Sequence, residues 1–417
     1  FRKCSRQFPV QGDQLCIELY REGNEFTIVC GAITVPYQFY IEANLGTALW
    51  QSNRYPATHE GERSMSQPRI AIVAAGAVGG YVGAHLARAG FDPVLIDAWP
   101  AHVEAMRTQG LSITGTTPEE AFTAQVRALD VCDVPQLARE APFDIAFICP
   151  KSYDTEWAAA LIRPYLAGDG VAVSLQNCMN DERLAAVVGP ERTLGCIASK
   201  IMVDLHAPGR VHRGVAKGGR DYTIFRVGEL DGRNSERARV IARLLETSDS
   251  AKVTANLRGE RWSKLVANCM ENGLSAATGM MGNALARSAP HRRFLIRLAA
   301  EAIGIGQAAG YALEPVAGLD AERFVRAAEG EPEAMAALEE TLLAAATKRS
   351  ETQVASMGQD MRKGRRTEIE FMNGHVVAVA RSIGREAPLS AALSDLVLRV
   401  ERGALKADPA LITDLRL

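Results

Sequence analysis

Three polar side chains on one stripe of a helix-forming segment carry much of the chemistry this sequence offers. In the segment Arg261-Trp262-Ser263-Lys264-Leu265-Val266-Ala267-Asn268-Cys269-Met270-Glu271-Asn272-Gly273, the residues Lys264, Asn268 and Asn272 recur every four positions. On a helix that spacing spreads them over only about 80° of circumference. Asparagine is a mediocre helix former, and a buried polar group left unsatisfied costs roughly 1–3 kcal/mol. Two asparagines beside a lysine in an apolar segment therefore either face solvent or line a polar cavity. In a cavity, such a lysine can polarise a carbonyl oxygen and donate a proton to it, a contribution of typically about 10²–10⁴-fold in rate. Burial would lower its pKa toward neutrality.

A second polar cluster runs over residues 356–374, with Ser356 near its start and Glu368 toward its middle. Taken alone it reads as a charged helix with turn-like breaks. Its Arg362, Lys363, Arg365 and Arg366 read as a solvated face and not as a nucleic-acid patch.

The element that would supply the redox half lies at 69–97, RIAIVAAGAVGGYVGAHLARAGFDPVLID. Ile70-Ala71-Ile72-Val73 has the length of a buried parallel strand. A glycine turn comes next, then a helical segment to about Ala89, a stop at Gly90, and a second strand ending on Asp97. Strand, turn, helix and acid at this spacing form a dinucleotide fingerprint. Gly76 lets the backbone approach a pyrophosphate, and Gly79 and Gly83 let the helix pack close to the sheet. The amides of Gly76, Ala77, Val78 and Gly79 then face the phosphates at a helix N-terminus, and Asp97 is placed to accept bonds from a ribose. The usual first glycine is Ala74, which is tolerable at negative φ. Two other readings, glycines that only aid packing and a membrane span, fit less well. His85 and Arg88 interrupt the apolar run, and no basic cluster flanks it.

The 417 residues allow two or three domains. A net charge of −2 gives no footprint for nucleic acid or a membrane surface. The eight cysteines form no CxxC pair, and several sit in apolar runs, so reduced thiols and a cytoplasmic setting are expected. Residues 1–67 do not resemble the rest of the chain. Only the alternation at 25–30 looks like a strand, and Met65 looks like a natural start, so residues 1–64 are expected to lie outside the working enzyme. Residues 68–256 alternate strands and helices, as in a parallel sheet covered on both faces. Apolar runs at 143–149 and 170–175 end just before Lys151 and Asn177, which places both toward the cofactor cleft. Residues 110–113 read as an edge strand, and 193–229 as added antiparallel strands. From 257 to 417 helical patterns dominate, at 259–274, 290–310, 332–347, 350–383 with breaks, and 388–403. The expected fold class is a Rossmann-type α/β dinucleotide-binding domain followed by an all-α C-terminal domain.

Together the motifs resemble the ketopantoate reductase (2-dehydropantoate 2-reductase) family. The matching pieces are AGAVGGY at 75–81, Gln176-Asn177, VGELDG at 227–232, WSKLVANCMEN at 262–272 and SMxQDMRxxRRTEIExxNG at 356–374, in order over about 68–405. The resemblance implies an active site in the cleft between the two domains, NAD or NADP as cofactor, and a small 2-oxo acid as substrate. It implies Lys264 as general acid, with Glu368 on a substrate hydroxyl. Asn268 would hold the substrate, with Ser356 on its carboxylate side and Asn272 in the cleft. Lys151 and Asn177 would lie on the cofactor side, and a homodimer is compatible with it. The sequence departs from the family pattern at Cys178, where glycine is usual, and at Gly273, where proline often stands. It departs also at Ala98, where an arginine often holds an NADP 2′-phosphate; with Asp97 before it, NAD is favoured. The main reading is reduction of 2-dehydropantoate to pantoate. The alternatives are an NAD-dependent D-2-hydroxy acid dehydrogenase on another, for instance aromatic, substrate, and a dinucleotide sensor without turnover. Cofactor binding alone requires neither Lys264 nor Glu368, which weighs against the sensor.

Overall fold

The computed structural model describes residues 67–219, 222–347 and 354–415, together with the backbone of three strands near the N-terminus. The chain divides into two units, Phe1–Met65 and Ser66–Leu417. In the first, β1 (Cys4–Val10), β2 (Asp13–Glu22) and β3 (Glu25–Gly31) form an antiparallel sheet in that order. β3 falls where alternation predicts a strand.

The second unit opens with β4 (Ile70–Val73), α1 (Ala77–Arg88) and β5 (Val94–Asp97), followed by α2 (Pro100–Gln109). An excursion, β6 (Leu111–Thr114) and β7 (Phe122–Ala124), precedes β8 (Arg127–Asp130). Then come β9 (Phe143–Ile148), α3 (Thr155–Ile162), β10 (Leu166–Ser174), α4 (Asp181–Val188) and β11 (Thr193–Ala198). A hairpin, β12 (Val203–Ala207) and β13 (Arg210–Arg213), leads to β14 (Phe225–Glu229), α5 (Glu236–Glu246) and β15 (Ala251–Val253). The main sheet runs β15-β14-β11-β10-β9-β4-β5-β8. From β8 to β11 all neighbours are parallel, and β14 joins antiparallel to β11. The chain starts at β4, builds outward through β5 to β8, and then returns to the other side of β4. That reversal is the doubly wound strand order, and it opens a crevice at the carboxyl ends of β4 and β9.

The apolar run of β4 shows how both faces are filled. Successive strand side chains point to opposite faces. Accordingly Ile70 and Ile72 enter one core with Tyr81 and Val82 of α1, and Ala71 and Val73 enter the other with Ala158 and Ile162 of α3. Residues 110–113, expected as an edge strand, instead lie inside a separate four-stranded sheet, β12-β13-β6-β7. There β6 pairs in parallel with β13, a partner about a hundred residues away. No local pattern encodes such a pairing.

The remainder is helical: α6 (Leu257–Thr278), α7 (Gly282–Arg287), α8 (Ala289–Ala308), α9 (Ala321–Ala328), α10 (Pro332–Thr347), α11 (Ser356–Arg362), α12 (Asn373–Ser382), α13 (Pro388–Glu401) and α14 (Ala410–Thr413). α6 is its central rod, ending where Gly279 turns left-handed at φ 71°. At Gly273 the packing against α13 is close: a Cβ would come within 2.8 Å of the tip of the Leu393 side chain. Among the described residues no helix is long and apolar enough to cross a membrane.

The turn after β4 corrects one expectation. Ala74 does not have negative φ; it stands at φ 65°. Its N–H and that of Ala75 both donate to the Ile96 carbonyl, at 2.8 and 3.1 Å, so pairing to β5 imposes the left-handed twist. The left-handed region costs a side chain about 1–2 kcal/mol, partly offset by the chain entropy that alanine saves in the unfolded state. Ala74→Gly is therefore expected to stabilise the fold by about 0.5–1 kcal/mol, read as a higher urea midpoint. An unchanged or lower midpoint would show that the turn carries no strain.

Candidate active site

The glycine turn is shaped for a close approach. A Cβ built on Gly76 would meet nothing within 4 Å, so the turn is open on that side. On Gly79 it would lie 2.5 Å from the Ala74 carbonyl and 3.0 Å from Ile72, and on Gly83 it would lie 3.1 Å from Leu95. These two glycines let α1 sit against β4 and β5. The first-turn amides of Ala77, Val78 and Gly79 have no intrahelical acceptor and carry the positive end of the helix dipole into the crevice. Open backbone and unpartnered N–H groups fit a dinucleotide pyrophosphate. Asp97 closes the neighbouring strand, and its Oδ1 accepts the Trp99 N–H at 2.9 Å. Burial raises its pKa, against the lowering effect of that bond.

Two of the sequence-predicted residues meet directly. Lys264, half-buried on α6, donates from Nζ to Asn177 Oδ1 at 2.8 Å and to the Ala198 carbonyl at the end of β11. Burial lowers its pKa to about 8, helped by the nearby Arg261 cation. One side chain of the helical half is thus held by two oxygens of the sheet half. Two turns further along α6, Asn272 Oδ1 accepts the Ser356 hydroxyl at 3.2 Å, which brings the start of α11 to the same stripe. Asn268, between them and partly exposed, makes no side-chain hydrogen bond within the described residues. Lys264 and Asn272 are bonded to other elements, so the stripe is not a solvated face.

Glu368 is buried, and its neighbours come from the sheet. Oε1 accepts the Ser152 N–H at 2.8 Å and the Ser152 hydroxyl at 2.7 Å, and Oε2 lies 3.2 Å from Lys151 Nζ. Lys151 also reaches Asp360 Oδ2 at 2.6 Å. Burial opposes the lysine's charge, but Glu368 and Asp360 outweigh it and push its pKa above the usual lysine range. The structure therefore places Lys151 with two carboxylates of the helical half. Asn180 completes the shell, donating to Ser152 Oγ at 2.9 Å and to the Asn177 carbonyl at 2.8 Å.

Ser152, Asn180 and Asp360 have no place in the sequence reading. Asp360 lies within the 356–374 motif, and Ser152 comes directly after Lys151; adjacency was the only available signal. Arg362, Arg365 and Arg366 are solvent-facing or paired at the surface, as expected of a solvated face, and Lys363 bridges to Asp204 of β12 at 2.7 Å.

Residues 70–223 match the family described as ketopantoate reductase PanE/ApbA, and residues 256–401 match its C-terminal domain. The chain belongs to the ketopantoate reductase family. It is 29% identical over 346 residues to a 2-dehydropantoate 2-reductase of Archaeoglobus fulgidus, covering 81% of this chain and 100% of that protein. A 2-dehydropantoate 2-reductase of Mesorhizobium japonicum is 28% identical, with 80% and 99% covered. Among solved structures, a ketopantoate reductase of Ralstonia eutropha superposes with a TM-score of 0.64 at 26% identity, covering 80% of this chain and 99% of that one. A D-mandelate dehydrogenase solved with NADH and anilino(oxo)acetate shares the fold, with a TM-score of 0.64 at 20% identity over 80% of this chain and 98% of that one.

Family membership makes the departures at Ala74 and Cys178 informative. Ala74 stands at the usual first glycine of the fingerprint and Cys178 where the resemblance implies glycine, and both are left-handed here, Cys178 at φ 64°. At Ala74 the left-handed backbone goes with the bonds to Ile96 across the sheet. Around Cys178 the main bond-maker is Arg261, only 2% exposed. Its guanidinium donates to the carbonyls of Ser174 at 3.1 Å and Gln176 at 2.9 Å, and it grips Asp181 through Nε at 2.5 Å and Nη2 at 2.7 Å. Arg261→Ala leaves the Asp181 carboxylate buried and uncompensated, and is expected to destabilise the fold by about 3–5 kcal/mol. Urea unfolding measures this, and a loss below about 1 kcal/mol would show that the Arg261–Asp181 pair contributes little to the fold.

Proposed function

We propose that this protein uses a nicotinamide dinucleotide to reduce a 2-oxo acid to a D-2-hydroxy acid, most simply 2-dehydropantoate to pantoate. The observation that carries this is the Lys264 ammonium. It is held by Asn177 and the Ala198 carbonyl at the carboxyl ends of β10 and β11, on the same helix stripe as the Asn272–Ser356 pair. The relatives from Archaeoglobus fulgidus and Mesorhizobium japonicum are named for this reaction. Bound at the glycine turn, the dinucleotide supplies the hydride.

The chain's own residues do the rest. Lys264 places an N–H toward a carbonyl oxygen and gives up its proton as that oxygen becomes a hydroxyl. A pKa of about 8 keeps the lysine charged at neutral pH and still ready to release the proton. Asn268 has its amide free to hold the substrate, Asn272 offers its amide N–H groups to the carboxylate, and Ser356 reaches the carboxylate by turning its one O–H away from Asn272 Oδ1. Glu368 keeps an acceptor position on Oε2, since a carboxylate has about four lone-pair sites and Ser152 takes two on Oε1 while Lys151 takes one on Oε2. That suits a substrate hydroxyl. Every residue in this reading lies between 76 and 368, and residues 1–64 take no part in it.

The assay is oxidation of NADH and NADPH with ketopantoate, phenylglyoxylate and 2-oxoisovalerate. Lys264→Ala is expected to lower turnover by about 10²–10⁴-fold while dinucleotide affinity holds. Reduction by the wild type should be full below pH 8 and fall as pH rises through about 8, where the proton donor is lost, and the alanine variant should lack that limb. Near-normal turnover in the variant would remove Lys264 from the chemistry.

The preferred cofactor in this reading is NADH. Asp97 ends β5 at the ribose position, and Ala98 supplies no cation. Bringing a 2′-phosphate to that carboxylate costs on the order of 1 kcal/mol even in water. Lys151, a cation that could offset this cost, is engaged by Asp360 and Glu368. The expected result is a higher kcat/KM with NADH, and a shift toward NADPH in Asp97→Ala. A wild type preferring NADPH tenfold would place Asp97 away from the ribose.

A further inference from the structure

Trp99 is a large aromatic residue left 37% exposed, in contrast to Trp262, which is fully buried. Its setting is not that of a stray surface side chain. The backbone is fixed on both sides. Its N–H is bonded to Asp97 Oδ1 at 2.9 Å, and Pro100 comes next at the first turn of α2. A residue before proline is confined to extended conformations, and Trp99 is extended at φ −95°, ψ 101°. The ring has a neighbour tied to the glycine turn. His102 stands one turn along α2, with ring centroids 5.9 Å apart. The His102 Nδ1 accepts the Gly209 N–H at 2.9 Å, so its proton is on Nε2, which donates to the Ala75 carbonyl of the glycine turn at 2.9 Å. The indole therefore leans on a side chain bonded to the turn that would hold the pyrophosphate, and its backbone N–H is bonded to the carboxylate that would hold the ribose.

We infer that Trp99 is the stacking platform for the adenine ring of the dinucleotide. This rests on the proposed dinucleotide binding and assigns its adenosine half. A planar base has a π-face whatever its edge chemistry, and an exposed indole fixed in place stacks on it with little loss of conformational freedom. Asp97 and Trp99 then act as one unit: the carboxylate that accepts the ribose hydroxyls is oriented by the main chain of the residue that covers the base.

The test measures binding, independently of turnover. Wild type, Trp99→Phe and Trp99→Ala are titrated with NADH, with ADP-ribose, which lacks nicotinamide, and with reduced nicotinamide mononucleotide, which lacks adenosine. In Trp99→Ala the dissociation constants for NADH and ADP-ribose are expected to rise about tenfold, with the mononucleotide unchanged. Trp99→Phe should keep most of the affinity. ADP-ribose should quench the tryptophan emission of the wild type, and that quenching should vanish in Trp99→Phe. Equal affinities in all three proteins would overturn the assignment, as would an equal loss for the mononucleotide, since a merely structural tryptophan would weaken every ligand. A wild type that binds neither NADH nor ADP-ribose would overturn the dinucleotide reading, and this inference with it.

Discussion

The site depends first on one buried ion pair. Arg261 stands one turn before Lys264 on α6, and its guanidinium takes up the carbonyls at the end of β10 together with Asp181 at the start of α4. A guanidinium has five donors in a fixed plane, so holding several acceptors fixes both the position and the rotation of the helix that carries it. Once α6 is set in this way, Lys264 can point only at the strand ends, and Asn268 and Asn272 come after it at four-residue steps. Trp262 secures the opposite side, donating to the Ala302 carbonyl of α8 at 3.0 Å and stacking on Tyr311 at 4.6 Å. The stripe seen in the sequence is turned toward the strand ends because Arg261 and Trp262 are anchored to different bodies of structure.

A second constraint is electrostatic. Asp360 and Glu368 are both buried, and both lie beside one lysine. Burial raises the Asp360 pKa, and Lys151 pulls it back. Two carboxylates in one enclosed place are tolerable only with a cation between them. The bonds from Ser152 to Glu368 satisfy further lone pairs of the same group. Lys151 therefore belongs to the joint between the halves as much as to the crevice beside it, and the loop after β9 and the helix α11 are held in common.

What can be read from the sequence is mostly what is local. The glycine turn, the apolar runs of β4, β9 and β10, and the long rods α6, α8, α10 and α13 all declare themselves by spacing. Periodicity also shows the Lys264, Asn268 and Asn272 stripe, but not which way it faces, because the partners of Lys264 are 66 and 87 residues away. The roles given to Glu368 and Ser356 come from family resemblance; composition alone makes their segment look like surface. The positive φ of Ala74 escapes a local reading for a related reason. Its conformation is set by bonds to Ile96 across the sheet, and nothing in the residues beside it signals that. The small sheet stays hidden because β6 and β13 pair over a long stretch of intervening chain.

The bond from Lys264 to Asn177 and Ala198 also bears on how such a protein can be taken apart. Lys264 grows from one half of the second unit, and the oxygens that hold its ammonium grow from the other. Neither half carries a diluted version of the site; each carries a fragment with no use by itself. The sheet half without α6 would keep a crevice with no lysine, and the helical half alone would keep a lysine with nothing to aim it. Recombination that exchanged the two halves between relatives would have to preserve the seam itself, the Arg261 grip and the Lys151 cluster included. In this fold the inheritable module is the joint.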